Sequence, residues 1–297
     1  MRNHSRIARF KFSFLAMKQL RVAILTHGGA DRVLKKICEL ESATVVGVFV
    51  ETGIQRQRTL LERIKRSIFY DGWLETAKKG VSTIRNHPGE DQKVPRLMYE
   101  KPSDLKSVCS DFDVPYFEVD NYHSSETIEL LKASDIDLGV IYGTNIIKET
   151  VFGIPKRGSI NLHQGLAPYY RGGPPLFWEL LNGEDEIGIT VHYVASKVDS
   201  GDIILQETVP LGYDFSKYGL NYDGFIRERS QGLGETSARL VAHAVELISN
   251  GQERPVKQDL GVGKRYRLPS KREKNMLVAI LKRRRDQEKT KNGSKKA

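Results

Sequence analysis

The sequence of 297 residues has few cysteines and no long apolar segment. Its two cysteines, Cys38 and Cys109, stand in no C-x-x-C pattern, which argues against a disulfide framework and against a cysteine zinc site. No apolar run approaches the roughly 20 residues that a membrane-spanning helix requires. The histidines lack the short spacings of metal ligands, so no metal site is expected. These absences predict a cytoplasmic globular protein with reduced thiols.

The net charge of +10 would suit a nucleic-acid partner, but the positive charge is concentrated at the two ends of the chain. Residues 1–18 contain five Lys or Arg and no acid, and residues 271–297 contain eleven against three acids. The body between them is slightly acidic, which is a poor electrostatic footprint for a polyanion, so a nucleic-acid partner is not favoured. We expect residues 1–18 to be a basic extension, because Lys11 interrupts the apolar patch that a signal peptide would need.

From residue 19 onward, apolar runs of strand length alternate with segments of helical spacing. The predicted strands are 20–25, 44–50, 114–119, 136–141, 158–163, 187–194 and 203–209. The predicted helices are 30–40, 125–133, 174–181 and 222–249, the last with a break near Gly232 and Gly234. This alternation predicts an α/β protein with a Rossmann-like, mainly parallel sheet and helices on both faces.

The same pattern divides the chain into regions. We expect a catalytic domain over residues 19–210, a helical or irregular closing region over 211–270 and a basic tail over 271–297. Residues 51–100 are interpreted as a helical insert within the catalytic domain. Its basic residues form either a solvated face or a wall for an anionic acceptor.

Residues 158–202 carry the pattern on which the functional prediction depends. Asn161 and His163 alternate with apolar residues in a predicted strand, so their side chains point to the same face. A loop follows at once, and strand ends followed by loops are where α/β proteins place their chemistry. Asp199 lies 36 residues after His163, in a predicted turn between two strands.

This combination resembles the folate-dependent formyltransferase family, which includes methionyl-tRNA, phosphoribosylglycinamide and sugar N-formyltransferases. The Asn-x-His pair, the following Leu-x-Pro and Tyr-Arg-Gly, the strand around Thr190 and the Asp-x-Gly turn occur in register over about residues 136–210. The resemblance implies the formyltransferase fold. It also implies a catalytic trio of Asn161, His163 and Asp199.

The resemblance further implies 10-formyltetrahydrofolate as the formyl donor. Its expected contacts follow the fourth strand and surround the Asp199 turn: Ile141, Tyr142, Gly143, Thr144, Val198, Ser200, Gly201 and Asp202. Exposed backbone groups at strand ends can bind the polar edge of a flat pterin ring, and side chains can then vary. Tyr170, Arg171 and Gly172 are expected to contact the acceptor.

The trio suits an attack by an amine on a formyl carbon. Asn161 and a protonated His163 can stabilise the oxyanion of the tetrahedral intermediate, by about 3–4 kcal/mol per donor in comparable sites. Asp199 favours the charged imidazole and could help to move a proton from the amine to the folate nitrogen through water. No cysteine or serine has a recognisable nucleophile setting, so covalent catalysis is not expected.

The sequence leaves several acceptors for the formyl group open, and each corresponds to a different activity. A nucleotide-linked amino sugar is preferred, ahead of methionyl-tRNA and of formyltetrahydrofolate hydrolysis, in which water replaces the amine. The alternative of another class is a non-catalytic protein that binds nucleic acid or membrane through its tails. The turn at Gly28 and Gly29 either holds a phosphate at a helix N-terminus or is a plain tight turn.

The basic tail contains the apolar run 276–281 between two basic clusters, 271–274 and 282–285. The run is too short to span a bilayer. We expect it either to form a helix that docks on the body or to rest on an anionic membrane surface. On such a surface each Lys or Arg contributes about 1 kcal/mol.

Overall fold

The computed structural model describes residues 19–53, 65, 68 and 105–294. The predicted extension over 1–18, and nearly all of the predicted insert over 51–100, lie outside these residues. The strands in chain order are β1 (Leu20–Thr26), β2 (Ala43–Glu51), β3 (Tyr116–Val119), β4 (Leu138–Tyr142), β5 (Ser159–His163), β6 (Tyr170–Gly172), β7 (Glu186–Tyr193), β8 (Ile203–Pro210) and β9 (Lys264–Tyr266).

Seven of these strands form one sheet with the order β3-β2-β1-β4-β5-β7-β8. The first five are parallel, whereas β7 is antiparallel to both β5 and β8. The prediction of a mainly parallel α/β sheet is therefore confirmed. The short strands β6 and β9 pair separately, also in parallel.

Helices cover both faces of the sheet, as predicted. They are α1 (Asp31–Cys38), α2 (Leu105–Asp111), α3 (Ser125–Ala133), α4 (Glu149–Phe152), α5 (Phe177–Asn182), α6 (Phe215–Tyr218), α7 (Tyr222–Gly232), α8 (Gly234–Ser249) and α9 (Lys271–Ser294). Because side chains alternate along a strand, Val22 and Ile24 of β1 join one core with α1 and α8. Ala23 and Leu25 join a second core with α3 and α4.

Two helix boundaries show how local geometry modifies the sequence pattern. The helix predicted to open at Pro174 begins only at Phe177, because Leu176 has φ of +70° and interrupts a right-handed helix. The break predicted near residues 232–234 does occur. There α7 ends at Gly232, and α8 begins at Gly234.

Helix α9 docks on the body through the apolar run of the predicted tail. Ser270 and Glu273 form a reciprocal capping box that fixes the start of this helix: the Ser270 N–H donates to Glu273 Oε2 at 2.7 Å, and the Glu273 N–H donates to Ser270 Oγ at 3.4 Å. Leu277 and Leu281 are fully buried in the main core. Of the two arrangements expected for this run, the structure therefore has the docked helix. Within the described ranges, no helix is long and apolar enough to cross a membrane.

Candidate active site

The register of β4, β5 and β7 assembles the candidate site. Asn161 pairs with Ile141 on one side and with His192 on the other, and His163 pairs with Thr190. Residues in register on neighbouring strands point to the same face of a sheet. Asn161, His163 and His192 therefore project together, although their elements run in opposite directions.

The carboxylate of Asp199 lies among these three side chains. Its Oδ1 is 3.4 Å from Asn161 Nδ2 and 3.5 Å from His192 Nε2. Its Oδ2 is 3.5 Å from His163 Nδ1 and accepts a 2.8 Å hydrogen bond from the Gly172 N–H. The structure thus brings Asp199, which follows His163 by 36 residues in the sequence, into contact with both Asn161 and His163.

The surroundings of Asp199 favour its charged form. Burial of this carboxyl group would by itself raise its pKa, but the charges of His163 and His192 and the hydrogen bonds from His192 and Gly172 oppose that effect. Together they hold the pKa of Asp199 well below its usual range. An ionised carboxylate is therefore available to orient the two imidazoles.

The imidazole of His163 has an acceptor at each nitrogen. Its Nε2 lies 2.7 Å from the carbonyl oxygen of Tyr170, and because a carbonyl only accepts, Nε2 carries the hydrogen in that contact. Its Nδ1 faces the Asp199 carboxylate. This arrangement is complementary to a protonated ring, and His163 is buried, with an exposed fraction of 9%.

His192 is a site residue that the sequence prediction missed. Its ring is buried, its Nε2 contacts both Asp199 and Asn161 (3.4 Å to Nδ2), and its Nδ1 lies 2.8 Å from the Tyr193 carbonyl oxygen. The sequence signal was its position two residues after Thr190 in an alternating strand. That signal becomes specific only when β7 is known to pair with β5.

The residues predicted to bind folate occupy two neighbouring places. Ile141 and Tyr142 end β4, and their side chains are buried in the two cores. Gly143 follows with φ of +64°, and no atom lies closer than 3.9 Å to the position of an added Cβ. The other predicted contacts, Val198, Ser200, Gly201 and Asp202, form the turn around Asp199. Residues 143, 144 and 198–202 lie outside the strands, and their contact with folate stays a prediction.

The residues predicted to contact the acceptor mostly make hydrogen bonds to other residues of the protein. Arg171 is buried, and its Nε donates to the Pro168 carbonyl at 3.3 Å. The Gly172 N–H is used by Asp199. Tyr170 has its carbonyl on His163, but its hydroxyl donates to Glu184 Oε1 at 2.7 Å beside an open cavity.

Neither of two cavities among the described residues is lined by Asn161, His163, His192 or Asp199. The larger one is linked to the site through Tyr170, whose carbonyl oxygen contacts His163 Nε2. The larger, of about 400 Å³, has an aromatic and acidic wall that includes Tyr169, Tyr170, Glu179, Glu184, Lys264 and Tyr266. The smaller, of about 290 Å³, lies at the carboxyl ends of the parallel strands and is lined by Glu51, Asn121, Tyr122, His123, Asn145, Ile146 and Ile147. In the described part of the chain, no group of three or more His, Cys, Asp or Glu side chains could hold a metal ion.

The structure defines an α/β protein in which the three predicted site residues meet at one carboxylate. A model of the formyl transferase family matches residues 20–221, which span all the trio residues and His192. This chain belongs to the formyl transferase family. The resemblance seen in residues 136–210 is thereby confirmed.

Named relatives match parts of the chain. Methionyl-tRNA formyltransferase from Azobacteroides pseudotrichonymphae genomovar. CFP2 is 29% identical over 184 residues, which are 62% of this chain and 55% of that protein. The methionyl-tRNA formyltransferase of Staphylococcus aureus (strain JH1) is 35% identical over 122 residues, 41% of this chain and 39% of that protein. The chain thus matches about half or less of the length of these relatives.

A solved structure shares the fold. Glycinamide ribonucleotide transformylase 1 from Symbiobacterium toebii superposes with a TM-score of 0.51 at 18% identity, covering 81% of this chain and 95% of that chain.

Proposed function

We propose that this protein transfers a formyl group from 10-formyltetrahydrofolate to an amine through a tetrahedral intermediate. The observation that carries this proposal is the contact of Asn161, His163 and His192 with the Asp199 carboxylate, whose side chain is 13% exposed. All four residues lie within the range that matches the family model. A neutral amide donor and an imidazole on one face, with a carboxylate that stays ionised, match the needs of acyl transfer.

Each side chain has a distinct part in this mechanism. Asn161 donates a hydrogen bond to the oxygen that becomes negative when the amine nitrogen forms its bond to the formyl carbon. His163 donates to the same oxygen once its Nε2–H exchanges the Tyr170 carbonyl for the oxyanion, while Asp199 still holds Nδ1. Asp199 orients both imidazoles through its two carboxylate oxygens. The bond between the formyl carbon and the folate nitrogen then breaks, and the proton lost by the amine passes to that nitrogen through water.

The preferred acceptor is a nucleotide-linked amino sugar, and the chemistry of the larger cavity supports this choice. Tyr170 and Tyr266 stack with ring centroids 5.3 Å apart, and Asn182 Nδ2 donates to both hydroxyls at 3.0 Å. Aromatic faces beside carboxylates and amides provide the apolar area and the few fixed polar groups of a small-molecule site. Carboxylates accept hydrogen bonds from sugar hydroxyls.

The turn after β1 supports the plain-turn alternative over a phosphate site. The Gly28 N–H is already bound to Thr26 Oγ1 at 3.0 Å. Asp31 places a carboxylate in the first turn of α1, where a phosphate would need to bind. Glu51 adds a second acid beside this turn, 2.7 Å from His27 Nε2. We therefore do not expect a ribonucleotide acceptor to bind its phosphate at this turn.

The proposal is tested with a panel of nucleotide-linked amino sugars and 10-formyltetrahydrofolate, with release of tetrahydrofolate as the readout. We expect turnover with at least one sugar carrying a free amine and none with its N-acetylated counterpart. Tyr266→Ala should raise the KM for that sugar more than the KM for folate. If no amino sugar accepted formyl while folate still bound, the acceptor would be of another class.

A second candidate function is formylation of methionyl-tRNA, which is the activity named for the curated relatives. The exposed basic residues of α9 would suit an RNA backbone. Formation of formylmethionyl-tRNA by the purified protein, weakening steeply with salt, would favour this function over the amino sugar.

A further inference from the structure

We propose that Gln258 is a positioning residue for the catalytic turn, because its side-chain amide holds the backbone that carries Asp199. This inference rests on the proposed function, in which Asp199 is the catalytic carboxylate. Gln258 lies outside the residues matched by the family and outside the predicted site.

The Gln258 amide binds the turn at two points. Its Nε2 donates to the carbonyl oxygen of Asp199 at 3.1 Å and to that of Gly201 at 2.6 Å. A primary amide nitrogen has two hydrogens, so it can serve both carbonyls at once. The Gln258 Oε1 is buried and has no hydrogen-bond partner among the described residues, so the turn uses only the donor half of the group.

The turn needs external support because its conformation is unfavourable in isolation. Asp199 has φ of +48°, in the left-handed region that residues other than glycine rarely adopt. Such a conformation persists only when the surrounding structure fixes it. At Gly201 a Cβ would lie 1.8 Å from the Tyr193 carbonyl oxygen, so the turn is also packed directly on β7.

The segment around Gln258 is itself anchored next to the turn. Val256 and Ile203 exchange two backbone hydrogen bonds of 2.8 Å, which pin this segment to the start of β8.

The side chain at position 258 also supplies its two hydrogens without carrying a charge, because it is a glutamine. A lysine in the same place would put a positive charge close to Asp199 and compete with the imidazoles for its carboxylate.

The test compares Gln258→Met, which keeps length and removes both donors, with Gln252→Met on the exposed part of the same segment. We expect Gln258→Met to lower kcat by about 10²-fold through misplacement of Asp199. Its Tm should fall by a few degrees, because the carbonyls of Asp199 and Gly201 lose their donor. Gln252→Met should behave like the wild type. In an Asp199→Asn background, Gln258→Met should cause less than about a threefold further loss, because residues acting through one another are not additive. Equal losses in both backgrounds would overturn the proposal.

A second readout needs neither acceptor nor turnover, so it separates this inference from the proposed function. The Asp199 carboxyl carbon is titrated by NMR, with its signal assigned through Asp199→Asn. In Gln258→Met the pKa of Asp199 should rise towards its ordinary value, because the carboxylate leaves its imidazole partners. An unchanged titration would overturn the proposal. Gln258→Glu is the alternative variant if Gln258→Met does not fold, and failure of both to fold would make Gln258 a structural residue only.

Discussion

At the scale of single residues, one carboxylate organises the candidate site. Asp199 contacts two imidazoles and a primary amide, and its own ionisation is secured by those partners. The developing charge of a transition state thus meets groups that are already oriented. Substitution of a trio member should therefore affect the chemical step more than binding.

The variant His163→Ala should lower kcat by about 10²–10³-fold, because a donor to the oxyanion is lost. Binding of 10-formyltetrahydrofolate should be largely retained, because the trio acts on the transition state whereas the loops are expected to hold the pterin. Calorimetry and single-turnover kinetics measure the two effects separately. His243→Ala, on the exposed side of α8, is the matched control and should leave both unchanged. Near-normal turnover of His163→Ala would refute the mechanism.

The pH dependence of stability should report Glu179, which lines the larger cavity with an exposed fraction of 3%. Burial raises the pKa of Glu179 from 4.5 to about 7, against the opposing hydrogen bonds from backbone N–H groups. Between these values the unfolded chain releases a proton that the folded protein keeps, so stability falls as pH rises through this window. The loss attributable to Glu179 should approach about 3 kcal/mol.

Urea unfolding at pH 5 and at pH 8 measures this effect. Glu179→Gln should remove this part of the loss, because an amide does not ionise. An identical pH dependence in the variant and the wild type would show that another group is responsible.

The sequence predicted the residues of the trio, but it could not predict their full environment. Asn161, His163 and Asp199 were recognisable because their types and spacing resemble a family pattern. His192 and Gln258 act through contacts created by strand pairing and by a distant segment. No local periodicity encodes such contacts, so neither residue could be identified before the fold was known.

At the scale of elements, α9 illustrates how a tail becomes part of the core. Leu277→Ala should lower the free energy of unfolding by about 2–5 kcal/mol, because this side chain is fully buried in the main core. Met276→Ala, at a position 47% exposed on the same helix, should cost much less. Denaturant unfolding of the two variants measures the difference. Similar small effects would mean that α9 is not docked in solution.

The seven strands of the main sheet were predictable because their apolar runs are strongly patterned, and the structure shifts their ends by two residues or fewer. The three-residue strands β6 and β9 were not predicted, because so short a segment has no periodicity to read. Helix boundaries that depend on the backbone conformation of a single residue were harder to predict from the sequence. The start of α5 depends on the left-handed Leu176, which no side-chain pattern announces. The antiparallel direction of β7 was equally hidden, since an apolar run does not specify its partner's direction.

At the scale of the whole molecule, positive charge collects on the outer side of α9. Lys271, Arg272, Lys282 and Arg283 are exposed, while Leu277 and Leu281 are occupied by the core. Contact with an anionic membrane would therefore rest on charge alone, at about 1 kcal/mol per residue. We propose a weak peripheral contact of this kind.

Co-sedimentation with phosphatidylserine vesicles tests this contact. The full chain should bind weakly at low salt and be released at high salt, because the Debye length shortens. The double variant Lys282→Glu/Arg283→Glu should bind less, and phosphatidylcholine vesicles should bind neither protein. Salt-insensitive or equal binding of the two proteins would exclude the electrostatic contact.

The position of α8 has a consequence for how the chain may be divided. Its residues Ala244, Val245 and Ile248 are fully buried against the sheet, yet they lie beyond residue 221, where the family match ends. The hydrophobic core of the protein therefore extends beyond the part of the chain that matches the family. A chain that ended at residue 221 would keep every trio residue, but it would expose an apolar face of the sheet to water. We expect such a fragment to aggregate rather than to form a smaller enzyme.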